Sequence, residues 1–318
     1  MNIDGTFIEN EVTAENLSEL SAQESLLFER RICELSYLAY EAGELVCEML
    51  RSGYGIYEAL SVVSDGIGSS VDRLHDSHLE ENYSRLVTHL RFVRASDKVV
   101  FSELLLEEIN KRTLKPEERD FLIQSTGNGV VAYVKNPLAD EAYDVFSQEL
   151  QDPRLRYYNT LSDAVRSVSL GECQFALLPL EEKGGARLAS VLELLFKEDL
   201  KINSVTPVFG FEGDADMKYA LVSKHFSVPS LESGDDRYLE IRLRADASIP
   251  LSELFLASDA LNVKIYRVNS ISFDTDDGQA PFYSIVFRAE GGDFSGLLLY
   301  LTLFSGAYTT IGLYKNLE

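Results

Sequence analysis

Basic side chains spaced along one predicted helix are the clearest candidates for binding chemistry in this sequence. Arg91, Arg94 and Lys98 follow one another at intervals of three and four residues, so they share one face of an α-helix. Such a stripe stands out in a chain that carries 52 acidic and 29 basic residues. It predicts either a site for a small anion or ion pairs with carboxylates on neighbouring helices.

Residue types that commonly bind metals are sparse. The four histidines include one close pair, His75 and His78, whose polar surroundings fit a solvated helix face better than a weak metal site. The cysteines are Cys33, Cys47 and Cys173, and no two of them form a Cys-x-x-Cys pair. An odd number of widely spaced cysteines indicates free, buried thiols in an intracellular protein. We therefore predict no metal site, no cofactor and a cytoplasmic location.

The net charge of the chain limits its partners. At −23, the charge opposes binding to phosphate backbones and to anionic membrane surfaces. No apolar run approaches the ~18–20 residues of a membrane-spanning helix. The first twenty residues lack the basic start and the apolar stretch of a signal peptide. The sequence thus predicts neither a nucleic-acid partner nor a membrane partner.

The hydrophobic pattern predicts a multidomain protein of α and α/β type. Apolar residues at helical spacing come first and predict a helical bundle. Apolar strands alternating with helices then predict a small α/β lobe with a mainly parallel sheet. A final βαββαβ order predicts a ferredoxin-like sandwich. The predicted segments are a disordered acidic tail over 1–22, the helical domain over 23–124, the α/β lobe over 128–226 and the sandwich over 236–318.

One long predicted helix, over 79–109, bears on assembly. Its apolar stripe must be buried, either in an antiparallel bundle within the chain or against a partner subunit. Sandwiches like the one predicted over 236–318 leave a sheet face or edge uncovered, and such surfaces often pair across a two-fold axis. These two features predict a homodimer.

The framework in the middle of the chain resembles prephenate dehydratase. That family has a Val-Val-Pro-Ile-Glu-Asn-Ser element, then a glycine, a helix and a Leu-x-Ile strand. Here the chain reads Leu-Leu-Pro-Leu-Glu at 177–181, Val-Leu-Glu-Leu-Leu at 191–195 and Leu-Lys-Ile at 200–202. Residues 236–318 resemble the ACT regulatory domain that follows the dehydratase, and the N-terminal helices lie where bifunctional members carry a chorismate mutase. The resemblance implies a divergent relative of the chorismate mutase/prephenate dehydratases of L-phenylalanine biosynthesis.

The residues that act in the dehydratase reaction match less well. Glu181 is the one match to the family's Glu-Asn-Ser element. The family's Thr-Arg-Phe motif aligns with Met217, Lys218 and Tyr219, so a thioether replaces the threonine thought to promote loss of the ring hydroxyl. The family's glycine-rich loop aligns with 134–142, where both glycines are gone. Glycines let backbone N–H groups approach an anion closely, so this loss weakens carboxylate binding.

The chain is also short where the family has its second lobe. About fourteen residues separate the strand that contains Ile202 from Met217. The family binds prephenate in a cleft between two lobes, and a cleft needs two walls. The sequence therefore predicts a dehydratase region that lacks one wall, unless a partner protein supplies it.

The mutase resemblance shows similar gaps. Arg30 matches the arginine of the family's first helix, but Glu41 replaces the lysine that follows and Val100 replaces the glutamine of the last helix. The rearrangement of chorismate needs basic groups that hold a dianion compactly, and Glu41 would repel it. Arg30 therefore joins the basic stripe described above as a candidate for anion binding.

The ACT-like segment leaves its ligand open. Leu251 and Ser270 match positions in the elements that bind phenylalanine in the family, whereas the arginine of the second element is absent. An amino-acid effector site and a purely structural dimer interface both fit this pattern.

Two functions follow from the sequence. The first is a catalytically degenerate family member, a pseudoenzyme with a regulatory role that binds a small carboxylate metabolite or an aromatic amino acid. The second is an active, divergent enzyme that converts chorismate to prephenate and prephenate to phenylpyruvate. The substituted motifs favour the first.

Overall fold

The computed structural model contains eight helices and nine strands within the residues that it describes. No helix among these residues is both long enough and apolar enough to cross a membrane. The described residues are 14–68, 95–112, 128–182, 184–209, 215–226, 236–245, 249–275, 278–290, 294–305 and 308–317.

Three helices form the N-terminal segment: α1 (Ala14–Arg51), α2 (Ile56–Gly68) and α3 (Ala95–Lys111). α1 lies against both of the others. Buried residues such as Leu38 and Leu45 recur at helical spacing because one face of each helix is turned toward the core. α1 begins inside the segment that was predicted to be a disordered tail.

The second half of the long helix predicted over 79–109 lies within the described residues. Residues 95–109 are helical, as predicted, and the earlier portion of that range lies outside the described residues, together with His75 and His78. The described part buries Phe101, Leu105 and Ile109 on one face.

The α/β segment alternates strands and helices, as the sequence predicts. Its strands have the order β2-β1-β3-β5-β4 in the sheet. β1 runs parallel to β2 and β3, whereas β5 runs antiparallel to β3 and β4. The prediction of a mainly parallel sheet is therefore wrong, because β5 follows β4 without a helix between them and so pairs with it in the antiparallel direction. The elements are β1 (Asn128–Tyr133), α4 (Pro137–Phe146), β2 (Gln151–Tyr157), α5 (Leu161–Ser169), β3 (Phe175–Glu182), α6 (Ala189–Lys197), β4 (Lys201–Phe209) and β5 (Ala215–Ser223).

The C-terminal segment has the predicted βαββαβ order. Its four strands are arranged β9-β6-β8-β7, with antiparallel neighbours throughout. The elements are β6 (Asp236–Arg244), α7 (Leu251–Ala260), β7 (Lys264–Thr275), β8 (Gly278–Glu290), α8 (Ser295–Phe304) and β9 (Tyr308–Lys315).

The α/β segment and the C-terminal segment share one nine-stranded sheet. β4 runs parallel to β9, with Ile202 opposite Gly312. A side chain at Gly312 would meet Ile202 Cβ at 3.0 Å and the Tyr314 ring at 2.9 Å, so glycine permits this close approach. The chain end extends the contact, since the amide of Leu317 donates to the carbonyl of Val205 at 2.7 Å. The two segments are therefore joined by backbone pairing as well as by the connection between them.

The two faces of the C-terminal sheet are covered by different parts of the chain. Leu239 and Ile241 of β6 point toward α7 and α8, and the N-terminal helices pack over those two helices in one apolar core. α8 lies in the middle, and nine of its ten residues are buried, all but Gly296. The buried apolar residues of α3 are thus covered within the chain. The opposite face, with Tyr238 and Glu240, packs against the α/β segment.

Candidate functional site

The residues aligned with the dehydratase motifs meet on two adjacent strands. β3 and β5 are antiparallel, and their register sets Glu181 opposite Lys218 and Glu182 opposite Met217. Lys218 Nζ lies 3.4 Å from Glu181 Oε2. Of the three substituted positions, Lys218 contacts Glu181, whereas Met217 lies opposite Glu182 and Tyr219 opposite Pro179.

A tight turn after β3 folds the chain back over Glu181. Gly184 and Gly185 have φ values of 95° and 84°, a left-handed conformation that glycine adopts without strain. The amide of Glu182 donates to the carbonyl of Ala186 at 2.9 Å, and Arg187 forms an isolated bridge with Glu181. The turn therefore carries an arginine to the only residue that matches the family's catalytic element.

Arg187 links two buried carboxylates that come from the two parts of the shared sheet. Its Nε lies 3.2 Å from Glu181 Oε1, and its Nη2 lies 2.7 Å from Glu240 Oε2. Exposure of the three side chains is 4%, 5% and 0%, respectively. Nη2 also donates to the hydroxyl of Tyr314 at 3.2 Å. Burial opposes the charge on Arg187, but Glu240, Tyr314 and Glu181 outweigh it and raise the pKa of the guanidinium.

Glu181 is held in its ionised form by three cations. Arg267 on β7 donates from Nη1 to Glu181 Oε1 at 2.9 Å, in addition to the contacts with Arg187 and Lys218. Burial would raise the pKa of Glu181, but the attraction of these three cations exceeds it and lowers the pKa below the ordinary 4.5. A carboxyl group in this environment is poorly suited to donate or to accept a proton near neutral pH.

In the loop aligned with the family's glycine-rich element, a side chain caps the start of the helix that follows. Asn136 caps α4, and its Oδ1 accepts a hydrogen bond from the amide of Ala139 at 2.9 Å. The hydroxyl of Tyr219 donates to the same Oδ1 at 3.2 Å. Burial raises the pKa of Tyr219, and the bond to Asn136 acts in the opposite direction. The side-chain carbonyl of Asn136 thus occupies one of the amides that an anion would use at this helix start.

Of the predicted anion-binding residues, the structure describes Arg30 and Lys98, and each pairs with a carboxylate. Arg30 is 77% exposed and pairs with Glu34 on its own helix at 3.3 Å. Lys98 pairs with Glu253 on α7 at 2.6 Å. Arg91 and Arg94 lie outside the described residues. For Lys98, the structure shows the ion-pair alternative.

The predicted effector residues lie at the start of α7 and on the edge strand. Leu251 is the first residue of α7 and packs partly buried against the apolar core. Ser270 is exposed on β7, opposite Tyr283 of β8. No described group of three or more histidine, cysteine or acidic side chains is arranged to hold a metal ion.

Sequence reasoning missed the residues that surround Glu181. Arg187, Glu240 and Arg267 lie on three elements that are far apart in the chain. One signal was available: Glu240 alternates with leucine and isoleucine along β6, which assigns it to the opposite face of the sheet. The alternation did not indicate that the α/β segment covers that face.

Comparison with known proteins gives structural likeness at low identity. No protein-family model matches the chain, and no curated protein matches it. A prephenate dehydratase from Streptococcus mutans is 14% identical with a TM-score of 0.48, covering 59% of this chain and 99% of its own. A prephenate dehydratase from Arthrobacter aurescens, in complex with L-Phe, is 13% identical with a TM-score of 0.44, covering 58% and 89%. GqqA, described as a novel type of quorum quenching acylase, is 17% identical with a TM-score of 0.42, covering 58% and 94%. These values do not identify a family, so the functional interpretation depends on the residues and the geometry described above.

Proposed function

We propose that this protein is a non-catalytic relative of the prephenate dehydratases, with a mutase-like N-terminal segment and an ACT-like C-terminal segment. In this proposal it binds a small carboxylate metabolite or an aromatic amino acid and acts as a regulatory protein in the cytoplasm. The three cysteines are free; Cys47 and Cys173 are buried as predicted, whereas Cys33 is exposed on α1, so the prediction of a buried thiol is wrong for Cys33. Free thiols fit a reducing compartment.

The observation that carries the proposal is the environment of Glu181. The residue that matches the family's catalytic element is 4% exposed and is paired with Arg187, Lys218 and Arg267. Removing a buried carboxylate from such partners to serve a substrate would leave the partners' charges uncompensated, which costs several kcal/mol. Glu181 thus serves to join the two parts of the sheet and is not available as a general acid or base.

Two further features support a loss of dehydratase activity. Met217 lies where the family has a threonine, and a thioether has no proton to give. Only residues 210–214 separate β4 from β5, and five residues cannot build a second lobe. The connection between β4 and β5 therefore offers no facing wall for a cleft.

A coupled turnover assay tests the proposal. Purified protein should convert neither prephenate to phenylpyruvate nor chorismate to prephenate above the uncatalysed rate. Turnover that disappears in Glu181→Gln but persists in Glu182→Gln, its exposed neighbour on β3, would establish the alternative of an active, divergent enzyme. In that case Glu181 would have to exchange its cationic partners during the reaction.

We also propose that the protein is a homodimer. β7 is the edge of the nine-stranded sheet, and its outer residues include Tyr266 at 47% and Val268 at 36% exposure. A long edge strand with exposed apolar side chains is a surface that pairs with another strand. Light scattering should give twice the chain mass of 35.6 kDa. Val268→Lys should weaken the dimer. Leu170→Lys, which changes an exposed residue at the end of α5, should leave the dimer unchanged. A wild-type monomer at micromolar concentration would contradict the proposal.

A further inference from the structure

Arg242 is a nearly buried cation with aromatic neighbours. It is 8% exposed, and its guanidinium carbon lies 4.4 Å from the centre of the Phe196 ring and 5.6 Å from that of Phe273. In the part of the chain that the structure describes, its guanidinium forms no hydrogen bond and no ion pair. Burial lowers the pKa of Arg242 to about 10, so the group keeps its charge at neutral pH.

Two fully buried donors without partners belong to the same face of the sheet as Arg242. Among the described residues, Asn269 Nδ2 and Arg187 Nη1 have no hydrogen-bond acceptor. The strand register places Asn269 and Arg242 on either side of Ser284. Ser284 donates to Glu240, the carboxylate that also holds Arg187. The unused donors are therefore neighbours around one short stretch of β8.

The charges around this point do not balance. Four basic side chains of the described chain surround two buried carboxylates, Glu181 and Glu240. Asp199 also acts on Arg242, but it is 74% exposed and pairs with Lys201. The basic side chains are Arg187, Lys218, Arg242 and Arg267. The two buried cations, Arg187 and Arg242, are matched in number by Glu181 and Glu240. The excess positive charge therefore lies with Lys218 and Arg267, which are partly exposed.

We infer that a small oxyanion binds among Arg242, Asn269 and Arg187, on the face of the C-terminal sheet that the α/β segment covers. A guanidinium presents several N–H groups in one plane, which matches the paired oxygens of a carboxylate or a phosphate. The amide of Asn269 adds a neutral donor from the neighbouring strand. Arg267 and Lys218 are 19% and 28% exposed, so the basic cluster reaches solvent on one side. The inference rests on the proposed function, which includes the binding of a small carboxylate metabolite. It adds the place where the acidic group of that metabolite binds.

Thermal unfolding in defined anions tests the site. The probes are sodium malonate and sodium phosphate, each compared with sodium chloride at equal ionic strength. At about tenfold excess over its Kd, a bound anion should raise the Tm of the wild-type protein by about 2 °C. Arg242→Gln and Asn269→Leu should abolish this rise. The matched control is Arg156→Gln, because Arg156 pairs with Glu172 at an exposed position and its loss should leave the rise unchanged.

Asn269→Leu keeps the test decisive if Arg242→Gln fails to fold. Leucine is close in size to asparagine and removes a buried amide that has no partner, so in chloride this variant should be as stable as the wild type. A rise with malonate alone identifies a carboxylate, and a rise with phosphate alone identifies a phosphate group. No rise with either anion, or a rise that persists in both variants, would overturn the inference. The shifts in Tm do not depend on enzymatic turnover, so they test the anion site separately from the proposed function.

Discussion

The two faces of the C-terminal sheet are buried by different kinds of contact, apolar packing on one face and ion pairs on the other. On one face, Leu239 and Ile241 pack in one core with buried apolar residues of α7 and α8. On the other face, Glu240 is completely buried and is held by Arg187 from the α/β segment. Apolar packing has no strict geometry and tolerates small shifts, whereas a buried ion pair is favourable only while both partners stay in place. The charged face should therefore fix how the two segments meet, and the apolar face should supply most of the stability.

The largest single effect should come from breaking the charged face. Arg187→Met leaves Glu181 and Glu240 buried without their shared cation, so we expect the free energy of unfolding to fall by roughly 4 kcal/mol. Urea denaturation at pH 7 measures this. The matched control is Arg156→Met, an exposed arginine that should change the stability very little. If Arg187→Met is as stable as the wild type, the pairs do not hold the segments together.

A cavity in the apolar face should cost nearly as much. Leu298 on α8 is fully buried in the core that α8 shares with the N-terminal helices. Leu298→Ala should lower the free energy of unfolding by about 3 kcal/mol through lost apolar contact and the remaining cavity. Leu170→Ala, at a position that is 64% exposed, is the control and should be almost neutral. A neutral Leu298→Ala would mean that the N-terminal helices are not part of one folding unit with the sheet.

The same contrast explains what the sequence could and could not predict. The pattern of Phe175–Glu182 predicted a buried strand, and that of Ser295–Phe304 predicted a helix, because burial leaves a local record in apolar spacing. The pairing of β4 with β9 leaves no such record, since backbone hydrogen bonds between strands use no particular side chain. For the same reason the partners of Glu181 could not be predicted. Arg187 and Arg267 look like surface residues until the two segments are joined.

Low pH should weaken the ion pairs on the charged face, whereas it should leave the packing of the apolar face unchanged. The pKa of Glu181 is lowered in the folded protein, so its contribution to stability is complete above the ordinary carboxyl pKa and is lost as the pH falls through the folded value. The free energy of unfolding of the wild type should therefore decline below about pH 4.5. Glu181→Gln should start from a lower stability at pH 7 and decline less steeply, because it has no such proton to take up.

The control for this pH profile is Glu182→Gln. Glu182 is exposed beside Glu181 on the same strand, so this variant should follow the wild-type curve. Parallel curves for the wild type and Glu181→Gln would show that the acid dependence comes from other carboxyl groups.

The smallest of these effects concerns an ion pair that connects the N-terminal helices to the C-terminal segment beside the apolar face. Lys98 lies 2.6 Å from Glu253, and their side chains are 22% and 13% exposed. The hydroxyl of Tyr300 also donates to Glu253 at 2.9 Å, so the carboxylate keeps one partner when the lysine is removed. Lys98→Met should therefore lower the free energy of unfolding by only about 1–2 kcal/mol. Arg30→Met, in which an exposed pair with Glu34 is lost, should leave the unfolding curve unchanged and serves as the control.

Heat-shift measurements with prephenate or chorismate show whether Lys98 has a structural role or binds an anion. If Lys98 is structural, any stabilisation by these dianions persists in Lys98→Met and disappears only in the double variant Arg91→Ala with Arg94→Ala. Stabilisation that is lost in Lys98→Met, with the stability of the free protein unchanged, would instead assign Lys98 to the predicted anion site.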